Sequence, residues 1–300
     1  MCGIVGYLDK PTSGSAPIGR VILAMLEALD CRGPDSAGVA LYEDHDDTLV
    51  LCVNLGDGNL EGTARCVTER VAAIAPVTDV SVAGECLRLL VHDADNPSAL
   101  IRSVESSDDG VEVVSIGHRL EIIKQVGSPQ AIESTYNVSS IVGTHGLGHT
   151  RMSTESRVDV SHSQPFWAHP MPDVSIVHNG HITNYHKMRR QYEQCGVQFY
   201  TDNDSEIIGI YVAEQLGNGS SLEEALRASL RALDGSFSYL VATENSLGFC
   251  RDQFAFKPLL VAETDSFVAI ATEEIALRAG LGTDFEAREV QAKEVRVWRW

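Results

Sequence analysis

Cys2 follows the initiator methionine directly, in Met1-Cys2-Gly3-Ile4-Val5-Gly6. Removal of Met1 would leave one residue carrying both a thiol and a free α-amine, a nucleophile and its base together. A free thiol has a pKa of about 8.5 and an α-amine titrates near ~8, so the amine can relay the thiol proton without a histidine. Read alone, Cys2 is equally a small apolar residue opening a buried strand. Four further segments set it apart from that plainer reading: Arg32-Gly33-Pro34-Asp35-Ser36-Ala37-Gly38, Gly148-His149-Thr150-Arg151-Met152-Ser153-Thr154, Val177-His178-Asn179-Gly180 and Asp202-Asn203-Asp204-Ser205-Glu206.

With the opening Cys-Gly-Ile-Val-Gly, these segments occur in one order along one chain, and together they resemble the class II glutamine amidotransferases, a branch of the N-terminal-nucleophile hydrolases. The resemblance implies that Cys2 attacks the side-chain amide of glutamine and forms a thioester. The resulting oxyanion would be met by the Asn179 side-chain N–H and the Gly180 backbone N–H, glycine letting the backbone come close. As a dipeptide, Asn-Gly also reads as a hairpin turn. Selecting free glutamine calls for one fixed cation and one fixed anion. Arg151 is placed to grip the α-carboxylate through a two-bonded fork, and Thr154 to add a hydroxyl. Asp204 matches the ammonium-binding aspartate of the family; Asp202 is a nearby decoy, and a carboxylate at 204 can also cap the helix beginning at Ser205. Arg32 reads as structural support for the active-site loop. Two residues depart from the family pattern, Met152 where many members carry an aromatic residue and Glu155 where some carry histidine; both concern the lip of the pocket.

Other constellations are weaker. His145 and His149 are four residues apart, but in a Gly143-Thr-His-Gly-Leu-Gly148 stretch that reads as a loop without a Glu-x-x-His context, so no metal site is expected. The same stretch lacks the Gly-Lys-Ser/Thr of a phosphate cradle. His178 reads as a packed strand residue rather than a base.

The elements that must carry these residues are legible in outline. Gly3 to Leu8 is an apolar strand, and Ile18, Val21, Ile22, Met25, Leu26 and Leu29 recur at helical spacing behind it. Apolar runs at Gly38 to Leu41 and Leu49 to Val53 predict strands of one sheet. Val174 to Val177 predicts a strand, Tyr185 to Cys195 a helix closed by Gly196, Ile207 to Gly217 a second helix, and Ser221-Leu222-Glu223-Glu224 a capping-box start for a third. The last third, from Phe237 to Val297, reads as mostly strand. The pattern is α+β, and the family resemblance implies a four-layer αββα sandwich over residues 2–300, with about 56–143 an insertion of uncertain fold.

Three hundred residues at 44% hydrophobic content can bury a sizeable core, most simply as one large domain. A net charge of −19 repels phosphate backbones and anionic headgroups, which argues against nucleic-acid and membrane binding. Seven scattered cysteines with no Cys-x-x-Cys pair fit a reducing compartment, and six of them (31, 52, 66, 86, 195 and 250) read as buried apolar residues. With no signal-peptide pattern and no run of eighteen apolar residues, a cytoplasmic location is expected. The glutaminase motifs use up the length, so an ammonia-accepting domain is expected on a separate subunit. The wording of the motifs is most similar to stand-alone amidotransferase subunits of glutamate synthase-like complexes, especially N-methylglutamate synthase, which implies no cofactor in this chain and a flavin and iron–sulfur cluster in its partner. An independent amide hydrolase and a non-catalytic glutamine-sensing or assembly module stand as the alternatives.

Overall fold

In the computed structural model, which describes residues 2–10, 17–43, 48–56, 58–92, 96–108, 110–153 and 157–300, elements are numbered in chain order. The strand that delivers Cys2, β1 (Gly3–Asp9), is buried throughout. It runs antiparallel between β8 (His145–Arg151) and β14 (Phe267–Ala271). Beyond β8 lie β2 (Ser36–Tyr42) and β7 (Leu120–Val126); beyond β14 lie β13 (Leu260–Glu263) and β15 (Ala287–Glu289), completing a seven-stranded sheet. A second sheet of five strands orders β16 (Val295–Arg299), β12 (Ser246–Arg251), β11 (Gly235–Thr243), β10 (Ser175–Ile182) and β9 (Phe166–Trp167).

Strand alternation decides what each face buries. Ile4 and Leu8 pack with Val177, Leu240, Leu247 and Phe249 between the two sheets. Val5 and Tyr7 point the other way, onto Ile22, Met25 and Leu26 of α1 (Ile18–Glu27), with α4 (Pro129–Tyr136) and α8 (Glu274–Leu281) in the same layer. On the far side, Ile176, Tyr239 and Val241 meet Ile208 and Val212 of α6 (Asp204–Gly217) and Leu226 of α7 (Leu222–Ala232), beside α5 (Tyr185–Gln194). The result is the expected helix, sheet, sheet, helix stack. The Ser221 capping box is formed in both directions, fixing where α7 starts.

A small third sheet orders β4 (Val77–Ala83), β5 (Cys86–Val91), β3 (Leu49–Asn54) and β6 (Glu112–Gly117). Val67 and Val71 of α2 (Leu60–Ala72) and Leu100 and Val104 of α3 (Pro97–Glu105) share the core with Val53, Leu87 and Leu89. This unit does not coincide with 56–143. β3 precedes that span, and Leu49 to Val53 pairs away from β2 rather than with it, whereas β7 and α4 fall inside the span yet belong to the main stack. A continuous apolar run announces a buried strand but not its neighbour.

The Gly143 to Gly148 stretch is not a loop. From His145 it is the strand between β1 and β2, so His145 and His149 lie on one face about 13 Å apart. Its glycines are there because neighbours come close: a Cβ at Gly148 would lie 2.8 Å from Val5 Cγ2 and 2.9 Å from Ile22 Cγ2 and Leu26 Cδ1. Gly148→Ala should therefore cost about 1–3 kcal/mol through overpacking and lower Tm measurably in thermal denaturation. Only Cys52 and Cys250 of the six cysteines read as buried are so; Cys31, Cys66 and Cys195 are exposed and Cys86 is half-buried. Cys66 sits on the outer side of α2 and Cys195 caps the end of α5, positions that packing does not claim. Among the described residues no helix is long and apolar enough to cross a membrane, and no cluster of three or more His, Cys, Asp or Glu residues could hold a metal ion.

Candidate active site

Cys2 sits at the mouth of the gap between the two sheets, one residue before β1. The register Gly3 to Thr150 continues into the chain carrying Arg151, which brings Cys2 beside the arginine segment. The Cys2 carbonyl accepts two hydrogen bonds, from Arg32 Nε at 3.3 Å and from Asn179 Nδ2 at 3.2 Å. The thiol lies 3.8 Å from the Met152 carbonyl oxygen, to which it donates. Arg32 is itself held by an ion pair with Glu273, at the start of α8. The arginine thus joins the helical layer to the backbone of Cys2, a supporting position. The pairing of Glu273 with Arg32 carried no signal in the sequence, since the two stand 241 residues apart.

Asn179 and Gly180 lie within β10, not in a hairpin turn, and are paired with Ser238 and Phe237 of β11. Gly180 has φ +151°, and a Cβ there would lie 2.3 Å from the Ser236 carbonyl oxygen and 2.6 Å from Phe237 Cα. Both facts restrict the position to glycine. With Asn179 Nδ2 touching the residue that carries the thiol, the structure brings Cys2, Asn179 and Gly180 together across the sheet-to-sheet gap.

Arg151 is buried, and one of its guanidinium nitrogens, Nη1, donates to the Arg157 carbonyl at 2.8 Å. Burial lowers its pKa from the ordinary value, opposed by Cys2, Asp159 and Asp35 nearby. Asp35 clamps the same segment: its N–H donates to the Arg151 carbonyl at 3.0 Å, and its carboxylate accepts the Ser153 N–H at 2.7 Å. It stands in the Arg-Gly-Pro-Asp motif, which was the available sign of a role. Thr154 and Glu155 lie outside the described residues.

Asp204 is the first residue of α6 and not its cap: the helix starts one residue before Ser205, and the N-cap is Asn203, whose side chain accepts the Ser205 N–H. Its Oδ2 accepts the Ile182 N–H at 2.7 Å, tying the helix start to β10. The nitrogen Nδ1 of His178 lies 3.7 Å from Asp204 Oδ1, and that of His181 3.6 Å from Oδ2. Asp202, the decoy, is solvent-exposed and paired with Arg189. His149 is wholly buried and its imidazole is pushed down to about 3, chiefly by burial and then by Arg151. Burial likewise lowers His178, so both rings are neutral near pH 7 and neither is placed to act as a cation.

A family model described as a glutamine amidotransferase domain matches residues 149–279. A Methanothermobacter thermautotrophicus protein named "Putative glutamine amidotransferase" is 40% identical over 310 residues, covering 99% of each chain. The chain belongs to the glutamine amidotransferase family. The Rhizobium meliloti "Glutamine amidotransferase-like protein GlxB" is 33% identical over 285 residues, 92% of this chain and 91% of that one. Among solved structures, glutamine phosphoribosylpyrophosphate amidotransferase from B. subtilis superposes with a TM-score of 0.64 at 18% identity over 99% of this chain, and an allosteric regulatory enzyme of purine biosynthesis with 0.66 at 18%. That likeness shows a shared fold, and this amidotransferase spans 47% of each of those two chains.

Proposed function

We propose that this amidotransferase hydrolyses L-glutamine to glutamate and ammonia at Cys2 and passes the ammonia to an acceptor on a partner subunit. The observation that carries this is the meeting of Cys2 with Asn179 from the opposite sheet, at 3.2 Å. In the proposed reaction the Cys2 sulfur forms a bond to the amide carbon while its proton passes to the α-amine freed by loss of Met1. The oxyanion is met by Asn179 Nδ2 and the Gly180 N–H. Collapse breaks the C–N bond; the ammonium proton of the terminus goes to the leaving nitrogen, and water then cleaves the thioester. Arg151 takes the substrate α-carboxylate, with Thr154 adding a hydroxyl, and Asp204 takes the α-ammonium.

Delivery to a glutamate or N-methylglutamate synthase type of partner, holding flavin and an iron–sulfur cluster, is the finer part of this reading. Docking of a partner protein, whatever its chemistry, is supported by one surface feature. Phe254 and Phe256 are 52% and 76% exposed with their rings stacked 5.8 Å apart. The loop that displays them is fixed by Asp252, which accepts the Phe254 and Ala255 N–H groups and also the N–H of Phe237, the residue paired with Gly180. Exposed aromatic pairs on rigid loops suit protein contacts.

The test is glutamine hydrolysis by the purified chain, alone and with the candidate synthase subunit, together with the mass of its N-terminal peptide. A mass lacking methionine and turnover that rises with the partner are expected. Full activity in protein that retains Met1 would overturn the terminal-amine mechanism, and equal turnover without a partner would favour an independent hydrolase.

A further inference from the structure

Ammonium recognition by a single aspartate needs that aspartate to be held at a fixed distance from the oxyanion residues, and a buried polar clamp stands where such a spacer would be. Gln164, which is buried, uses its side-chain amide as a second backbone: Oε1 accepts the His178 N–H at 2.6 Å, and Nε2 donates to the His178 carbonyl at 3.2 Å and to Ser205 Oγ at 3.0 Å. The His178 ring completes the loop, with Nδ1 2.8 Å from Ser205 Oγ. On one side of this clamp His178 precedes Asn179 and Gly180 in β10. On the other, Ser205 follows Asp204 in α6. The ring is packed directly under the glycine, since a Cβ at Gly180 would lie 2.9 Å from Nε2.

We propose that His178, with Gln164 and Ser205, is a positioning residue that sets Asp204 against Asn179 and Gly180 and thereby determines how strongly the site demands an α-amino group. It acts through Asp204 rather than on the reacting atoms: its nearest approach to that carboxylate is 3.7 Å, and it is 2% exposed. Buried networks of this kind act as a unit, because a broken link leaves a desolvated polar group behind. The proposal rests on the glutamine reading of the site.

The experiment compares L-glutamine with glutaramate, which keeps the carboxylate and the amide but has hydrogen where the α-ammonium was. Binding of both to Cys2→Ala protein is measured by calorimetry in three backgrounds: His178→Leu, His178→Asn, whose amide can still reach Ser205, and Ser205→Ala, the mildest change. The preference for glutamine should fall about tenfold in His178→Leu and in Ser205→Ala, and stay within about threefold of the parent in His178→Asn. The loss should lie in glutamine affinity, with glutaramate little changed. Equal weakening of both ligands, or an unchanged preference in Ser205→Ala, would overturn the positioning role. The readout needs no turnover, so a protein that discriminates the two ligands through this clamp yet never hydrolyses glutamine would count against the glutaminase reading alone.

Discussion

Cys2→Ala should lower glutamine hydrolysis by about 10³-fold or more while leaving the fold and, in the assembled complex, synthesis from added ammonia intact. The size follows from the role Cys2 has in the proposed reaction, where its sulfur forms the bond to the amide carbon and the other groups position the substrate or stabilise charge. The fold is spared because Cys2 is anchored by its carbonyl, which alanine also has, while the thiol contributes one long contact to Met152. Product analysis by coupled glutamate assay, with thermal denaturation alongside, checks both halves. Hydrolysis persisting in the variant would refute Cys2 as the attacking group.

Asn179→Ala should reduce kcat by about 10²–10³-fold with a much smaller change in KM, because the amide donor is needed where charge develops rather than where substrate rests. Steady-state kinetics separates the two parameters. A change confined to KM would instead place Asn179 in ground-state binding. The variant also removes one of the two bonds to the Cys2 carbonyl, and the Arg32 bond remains to hold the strand start.

The motifs carrying reactive groups stand out because each is local to a few residues; in space Cys2 meets Asn179, and Asp204 is tied to the same strand, β10. What was unreadable shares one cause, dependence on a distant partner. Gln164 precedes Pro165 with no motif around it, and its value as a clamp exists only against His178 and Ser205. Glu273 matters through Arg32. The glycines before Arg151 suggested a loop because glycine usually marks one, yet here they clear space for α1 against a central strand. Leu49 to Val53 was correctly a strand, but its pairing with β5 and β6 depends on sequence up to Gly117. The exposed Cys31, Cys66 and Cys195 show the opposite error, an average preference for burial applied where no neighbour imposes it.

In the proposed reaction the nucleophile stands at a chain end, where it would ordinarily swing through many orientations before meeting its target. The two hydrogen bonds to its carbonyl instead hold the α-carbon of Cys2 between the second sheet, through Asn179, and the helical layer, through Arg32 and Glu273. Between that fixed carbon and the sulfur only a single torsion remains, so most of the entropy of aiming is surrendered during folding instead of in each catalytic cycle.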